Sequence, residues 1–116
     1  MPHRDLALAL LLMLSVLPPA QAASAREAKR QLQQMNVEIS VDKLVQYAAE
    51  GDLSTIELLL SAGVPIKGAD GVHGATALHN AAAQGHRRVL DALIKAGAPL
   101  DAVDGNGVTP LMAAAW

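Results

Sequence analysis

Residues 74–79, Gly-Ala-Thr-Ala-Leu-His, decide the fold, because the phrase starts again 33 residues later as Gly107-Val-Thr-Pro-Leu111. Gly74 falls on Gly107, Thr76 on Thr109 and Leu78 on Leu111. Toward the N-terminus the matching shift is 34: Leu44 falls on Leu78, Ala48 on Ala82, Gly51 on Gly85, Leu59 on Leu93 and Gly63 on Gly97. Asp70 and Asp104 are also 34 apart, so the earlier unit carries one extra residue in its turn, at Val72 or His73. A fixed period of this length marks a stacked array, in which each unit buries its apolar face only against its neighbours.

Within one unit the spacing predicts a helix over 76–84, a break at Gly85 and a second helix over 86–96. Leu78, Ala81 and Ala82 share one face of the first; Val89, Leu90, Leu93 and Ile94 share one face of the second. Neither helix is long enough to persist alone in water. Gly63 and Gly97 follow the second helix of each unit, where a left-handed residue closes it. Asp70 and Asp104 recur at one place in the period, which reads as turn-forming Asp and not as a catalytic pair.

Gly74–His79, followed by Ala81-Ala82, Gly85-His86 and Leu93-Ile-Lys-Ala-Gly-Ala98, resembles an ankyrin repeat. The next copy has that family's proline at Pro110, where the earlier one has Ala77. Residues Leu44 to Gly63 resemble a degenerate first copy, with Gly51-Asp52 replacing Gly-His and Tyr47 standing where the family has a small residue. The resemblance covers about 41–116, as units 41–69, 70–103 and a truncated 104–116. It implies an all-α, ankyrin-type α-solenoid, without catalysis or cofactor, that binds a protein partner on its concave face. The candidate contacts it implies are Gly71, Val72, His73, Ala75, Asn106 and Val108 at the hairpin tips, and Asn80, Ala83, Gln84 and Trp116 on the inner helices. It also implies that the His79 ring bonds around Thr76 and the neighbouring turn, and that His86 is structural. His73 is the one histidine of the array left without such a duty.

Upstream, residues 23–40 read as an N-terminal helix and linker. Ala25, Ala28, Leu32 and Met35 form a stripe over 24–35, with Arg26, Lys29 and Arg30 opposite. That helix is either a cap on the first unit or a docking helix for a partner or an anionic membrane surface. Ser40 is expected to N-cap the helix that starts at Val41. Residues 1–22 read as a signal peptide: Arg4, an apolar run from Leu6 to Leu17, a helix stop at Pro18-Pro19, and the small-x-small site Ala20-Gln21-Ala22. Cleavage before Ala23 would deliver a bacterial-type exported protein to the periplasm or the medium. The run is shorter than the roughly 20 residues that span a bilayer. An uncleaved membrane tether is the competing reading, as is a buried leucine-rich helix.

The 116 residues carry a net charge of −2, no Cys and no Phe, and Tyr47 and Trp116 are the aromatic residues. Thiolate metal sites and disulfides are excluded, and no basic cluster offers a nucleic-acid surface. A lone free His73 is not a metal site, and Gly105-Asn-Gly107 reads as a turn, not as a phosphate loop. An enzyme or small-molecule binder would need convergent titratable groups that the sequence does not offer. A monomer is expected. Trp116 falls in mid-repeat, so Leu111, Met112 and Trp116 are expected to be partly exposed unless Trp116 folds back as a lid.

Overall fold

The computed structural model describes residues 19–115, and of residues 19–23 the backbone alone. The leader reading, for residues 1–18, and both readings of Trp116 lie outside the described residues. Six helices follow one another: α1 Pro19–Gln34, α2 Val41–Glu50, α3 Leu53–Ser61, α4 Ala77–Gln84, α5 Arg87–Lys95 and α6 Pro110–Ala115. They stack in two layers. α2, α4 and α6 pack side by side as the inner layer, while α3 and α5 lie behind their own partners α2 and α4. Among the described residues there is no strand; one isolated antiparallel bridge, Ala69 to Thr76, closes the hairpin between the two complete units.

The period-34 seam is the core. Leu44, Ile56, Leu59, Leu78, Val89 and Leu93 are all fully buried and belong to one contiguous cluster. Tyr47 packs half-buried against the same cluster, so the enlarged side chain in the first unit is accommodated at its edge. Local chemistry sets the helix starts. Ser40 accepts from the Lys43 amide at 3.2 Å, as its spacing predicts. Asp52 caps α3 twice, accepting from the Thr55 amide and, at 2.7 Å, from its hydroxyl. Gly63 and Gly97 close α3 and α5 at φ +102° and +94°.

One expectation about the N-terminal segment needs correction, and it concerns the end of α1. As described, α1 starts at Pro19, and the stop expected at Pro18-Pro19 for the run before it lies outside the described residues. Proline lacks an N–H, but the first-turn amides have no intrahelical acceptor anyway, and its fixed φ suits that turn. Met35 does not join the buried stripe and is 48% exposed. The helix ends at Gln34, Asn36 turns left-handed at φ +59°, and the Val37 amide returns to the Leu32 carbonyl at 2.9 Å. That hook swings Met35 outward and lays Val37 on the core instead. Ala28 and Leu32 are buried at 2% and 0%, and α1 packs on α3. Of the two readings left open for this helix, the cap is the one observed: α1 extends the outer layer by one position.

The turn glycines are not equivalent. Gly51 and Gly85 both close inner helices at φ +78° and +70°. A Cβ on Gly51 would meet the His86 ring at 2.7 Å, whereas one on Gly85 meets nothing within 4 Å. Both alanine substitutions carry about 1–2 kcal/mol of left-handed backbone strain. Gly51→Ala must also displace the His86 ring, so urea unfolding should show it to be the more destabilising of the two.

Candidate functional site

Each hairpin tip is built around one aspartate. Asp70 Oδ1 accepts from the amides of His73 at 2.9 Å and Ala75 at 3.0 Å. Asp104 Oδ1 accepts from Asn106 at 2.8 Å and Val108 at 3.0 Å. The second bond of each pair spans five residues in the first tip and four in the second, which is the extra residue that the shifted repeat requires. The turn-forming reading of both aspartates is what the geometry shows. Adjacent tips are laced by the Gly105 amide, which donates to the His73 carbonyl at 2.8 Å, and the first tip is tied to the first turn of α2 by the Gly71 amide, which donates to Asp42 at 3.2 Å.

The carboxyl of Asp70 lies below its ordinary value. Burial alone would raise it, but the amides of Ala75, His73 and Gly74 and the charge of His73 outweigh that. Asp104 is held low chiefly by the Val108 amide, against some desolvation and with help from Asn106. A carboxyl depressed by folding stabilises the fold above its unfolded value, here 3.8, and that contribution is lost as pH falls through the folded value. Thermal unfolding should therefore become easier below about pH 4. In Asp70→Asn the acid-dependent part should shrink. A melting temperature with the same slope against pH in both proteins would contradict this.

Two of the three array histidines, His79 and His86, join repeats as well as sit within them. His79 is 2% exposed. Its Nδ1 accepts from the Thr76 amide at 3.2 Å, so Nε2 carries the proton and donates to the Val108 carbonyl at 2.7 Å. The resemblance implies bonds around Thr76 and the neighbouring turn, and the structure gives the partner in that turn as the Val108 carbonyl of the next tip. His86 Nε2 reaches back to the Ala49 carbonyl at 2.8 Å. Asp52, at the same place in the first unit, caps its own helix instead.

With the tips and inner helices held in this way, the proposed contact residues sort clearly. Val72 is 80% exposed, the His73 side chain is 71% exposed, and Asn106 and Gln84 are exposed too. Gly71 and Ala83 are exposed as well. Asn80 is half-buried and spends one amide proton on the Val45 carbonyl at 3.3 Å, tying α4 to α2. Val108 is half-buried and its backbone is fully engaged. Ala75 is removed from the set: it is 5% exposed, because its amide and carbonyl both close the Asp70 turn. Trp116 lies outside the described residues.

Applying the same 34-residue shift to Asn80 and Gln84 lands on Gln46 and Glu50, which the sequence reading missed although its own period contained them. Both are exposed on α2 and hydrogen-bond each other at 3.2 Å, with Lys43 donating to Gln46. The surface so assembled is a polar strip, Gln46, Glu50, Asn80 and Gln84, beside a row of tips carrying Val72, His73 and Asn106. Among the described residues no three His, Asp or Glu side chains converge to hold a metal, and no helix is long and apolar enough to cross a membrane.

No curated protein matches the chain. The family model for ankyrin repeats, in three copies, matches residues 44–116. That range takes in α2 from Leu44 onward, all of α3 to α6, the hairpin tips and both bridging histidines, and it is more than half of the sequence. The chain belongs to the ankyrin-repeat family.

Proposed function

We propose that this protein is a non-catalytic binding module, exported to the periplasm or the medium, that grips a protein partner with the strip and tips described above. The observation that carries the reading is the pairing of rigidity with exposure. Val72, His73 and Asn106 stand in solvent on turns that are fixed by aspartate-amide bonds and laced to each other. A preorganised apolar and polar edge of this kind binds without first having to be ordered. The polar strip beside it supplies hydrogen-bonding side chains for orientation.

Export is supported by the leader pattern in residues 1–22. Cleavage before Ala23 removes only the first turn of α1 and spares Ala28 and Leu32, so the cap on α3 is retained in the mature chain. Mass spectrometry of the fractionated protein tests this. A mature N-terminus at Ala23 in the periplasmic or culture fraction supports it, and an intact Met1 in the membrane fraction overturns it in favour of a tether.

The binding face is tested with a triple variant, Val72→Asp, Gln84→Ala and Asn106→Ala, in affinity capture from the exported fraction. All three side chains are exposed, so helical content should be unchanged while capture of the partner falls. Undiminished capture means the face is elsewhere.

A further inference from the structure

The asparagines of the chain are Asn36, Asn80 and Asn106, and glycine follows the last of them alone. Asparagine is a thermolabile side chain, because the next main-chain nitrogen can reach its side-chain carbonyl carbon and close a five-membered ring. A side chain on that next residue hinders the approach, and glycine has none. Asn36 precedes Val37, whose branched side chain lies on the core and whose amide is bound by the Leu32 carbonyl. Asn80 sits inside α4, with its side-chain amide bonded to the Val45 carbonyl at 3.3 Å. Asn106 is exposed at the second tip, and a Cβ on Gly107 would meet nothing within 4 Å, so the space beside the attacking nitrogen is open.

The first tip has the same geometry without the reactive group. Asp70 clasps the amides of His73 and Ala75 as Asp104 clasps those of Asn106 and Val108. His73 therefore stands in the place of Asn106, and Gly74 in that of Gly107, with left-handed φ of +66° and +77°. In the second tip the Gly107 amide also donates to the Asp104 carbonyl at 3.0 Å.

We propose that Asn106-Gly107 is a self-modification site, at which the second tip converts spontaneously to isoaspartate and is thereby opened irreversibly. The Gly107 nitrogen attacks Asn106 Cγ. The N–Cγ bond forms, the Cγ–Nδ2 bond breaks, and Nδ2 leaves as ammonia with the proton of the Gly107 amide. Water then opens the cyclic imide. Entry at Cγ gives aspartate; entry at the main-chain carbonyl breaks its bond to the Gly107 nitrogen and leaves the chain running through Cγ. The net change is a water taken up and an ammonia released. Conversion cannot begin while the Gly107 amide is held by the Asp104 carbonyl, so it waits on local opening of the tip. Once made, isoaspartate lengthens the main chain between the two clasped amides and sets a second carboxylate beside that of Asp104; both oppose reclosure. The effect reaches the preceding unit, because Val108 accepts the His79 bond and Gly105 laces the two tips. This chemistry belongs to the tip itself and does not depend on what the tip binds.

The test keeps the full-length protein in warm, mildly alkaline buffer and reads isoaspartate by labelling with an isoaspartyl methyltransferase and by peptide mapping. Label and the amide-to-acid mass gain are expected at 106 and at neither 36 nor 80. Asn106→Ala should take no label. Asp104→Ala, with its helical content checked by circular dichroism, should convert at least about tenfold faster, since two bonds that hold the tip shut are gone. In the aged wild-type protein, hydrogen exchange should quicken at the Gly105 and Val108 amides and stay as in fresh protein at His73 and Ala75. The proposal is overturned if 106 stays unmodified, if 36 or 80 converts as fast, if folded Asp104→Ala converts no faster, or if the aged tip exchanges like the fresh one.

Discussion

Leu93→Ala is expected to cost about 2–5 kcal/mol of unfolding free energy, the range for removing a large apolar side chain from a closed core. Leu93 is 0% exposed and shares its cluster with Ile56, Leu59, Leu78 and Val89. The effect should be at the upper end, for a reason specific to α5. That helix buries only Val89 and Leu93 fully, while Arg87, Arg88, Asp91 and Lys95 face water. One substitution removes one of its two anchors, and a nine-residue helix has little stability of its own. Against a total of roughly 5–15 kcal/mol for an ordinary domain, the midpoint of urea unfolding should drop sharply. Ile94→Ala, next along the same helix but 44% exposed, should cost much less. Equal costs at 93 and 94 would mean that α5 is not packed on this face.

The second large effect is expected at His79. Replacement by alanine removes three things together. The Thr76 amide, buried at the start of α4, loses its acceptor; the capping box of that helix loses a member; and the Val108 carbonyl loses one of its two donors, keeping only the Asp104 amide. A buried donor left unsatisfied costs about 1–3 kcal/mol and a lost neutral bond about 1, so a total of about 2–4 kcal/mol is expected. The location of the damage is as informative as its size. Hydrogen exchange should speed up both at the α4 amides and at the Asp104 turn, which lies in the next repeat. Exchange that rises only within α4 would show that the forward bond to Val108 contributes nothing.

Much of this architecture was legible because a period is a redundant signal. The leucines of the second unit's seam have counterparts in the first, so Leu44, Leu59, Leu78 and Leu93 could be placed without knowing any contact. The two aspartates and the longer first turn were legible for the same reason, since a recurring Asp beside Gly needs little besides its own backbone to form a turn. The period did not disclose what passes between units. The reach of His79 to Val108 spans 29 residues and that of His86 to Ala49 spans 37; neither length is the period, and neither side chain announces its direction. Ala75 was misplaced because tip residues were treated alike. A small side chain whose amide and carbonyl are both recruited by Asp70 is turned inward, whereas its neighbours Val72 and His73 are not.

The forward and backward histidine bonds leave from a single unit, residues 70–103. That unit is consequently a keystone: each flanking unit is fastened to it by a ring nitrogen on a carbonyl, in addition to the apolar seam. Loosening the middle would release both ends at once, while fraying at one end leaves the opposite fastening untouched. Selection for a new partner can therefore rework the outlying units freely, and must leave the middle one almost as it is.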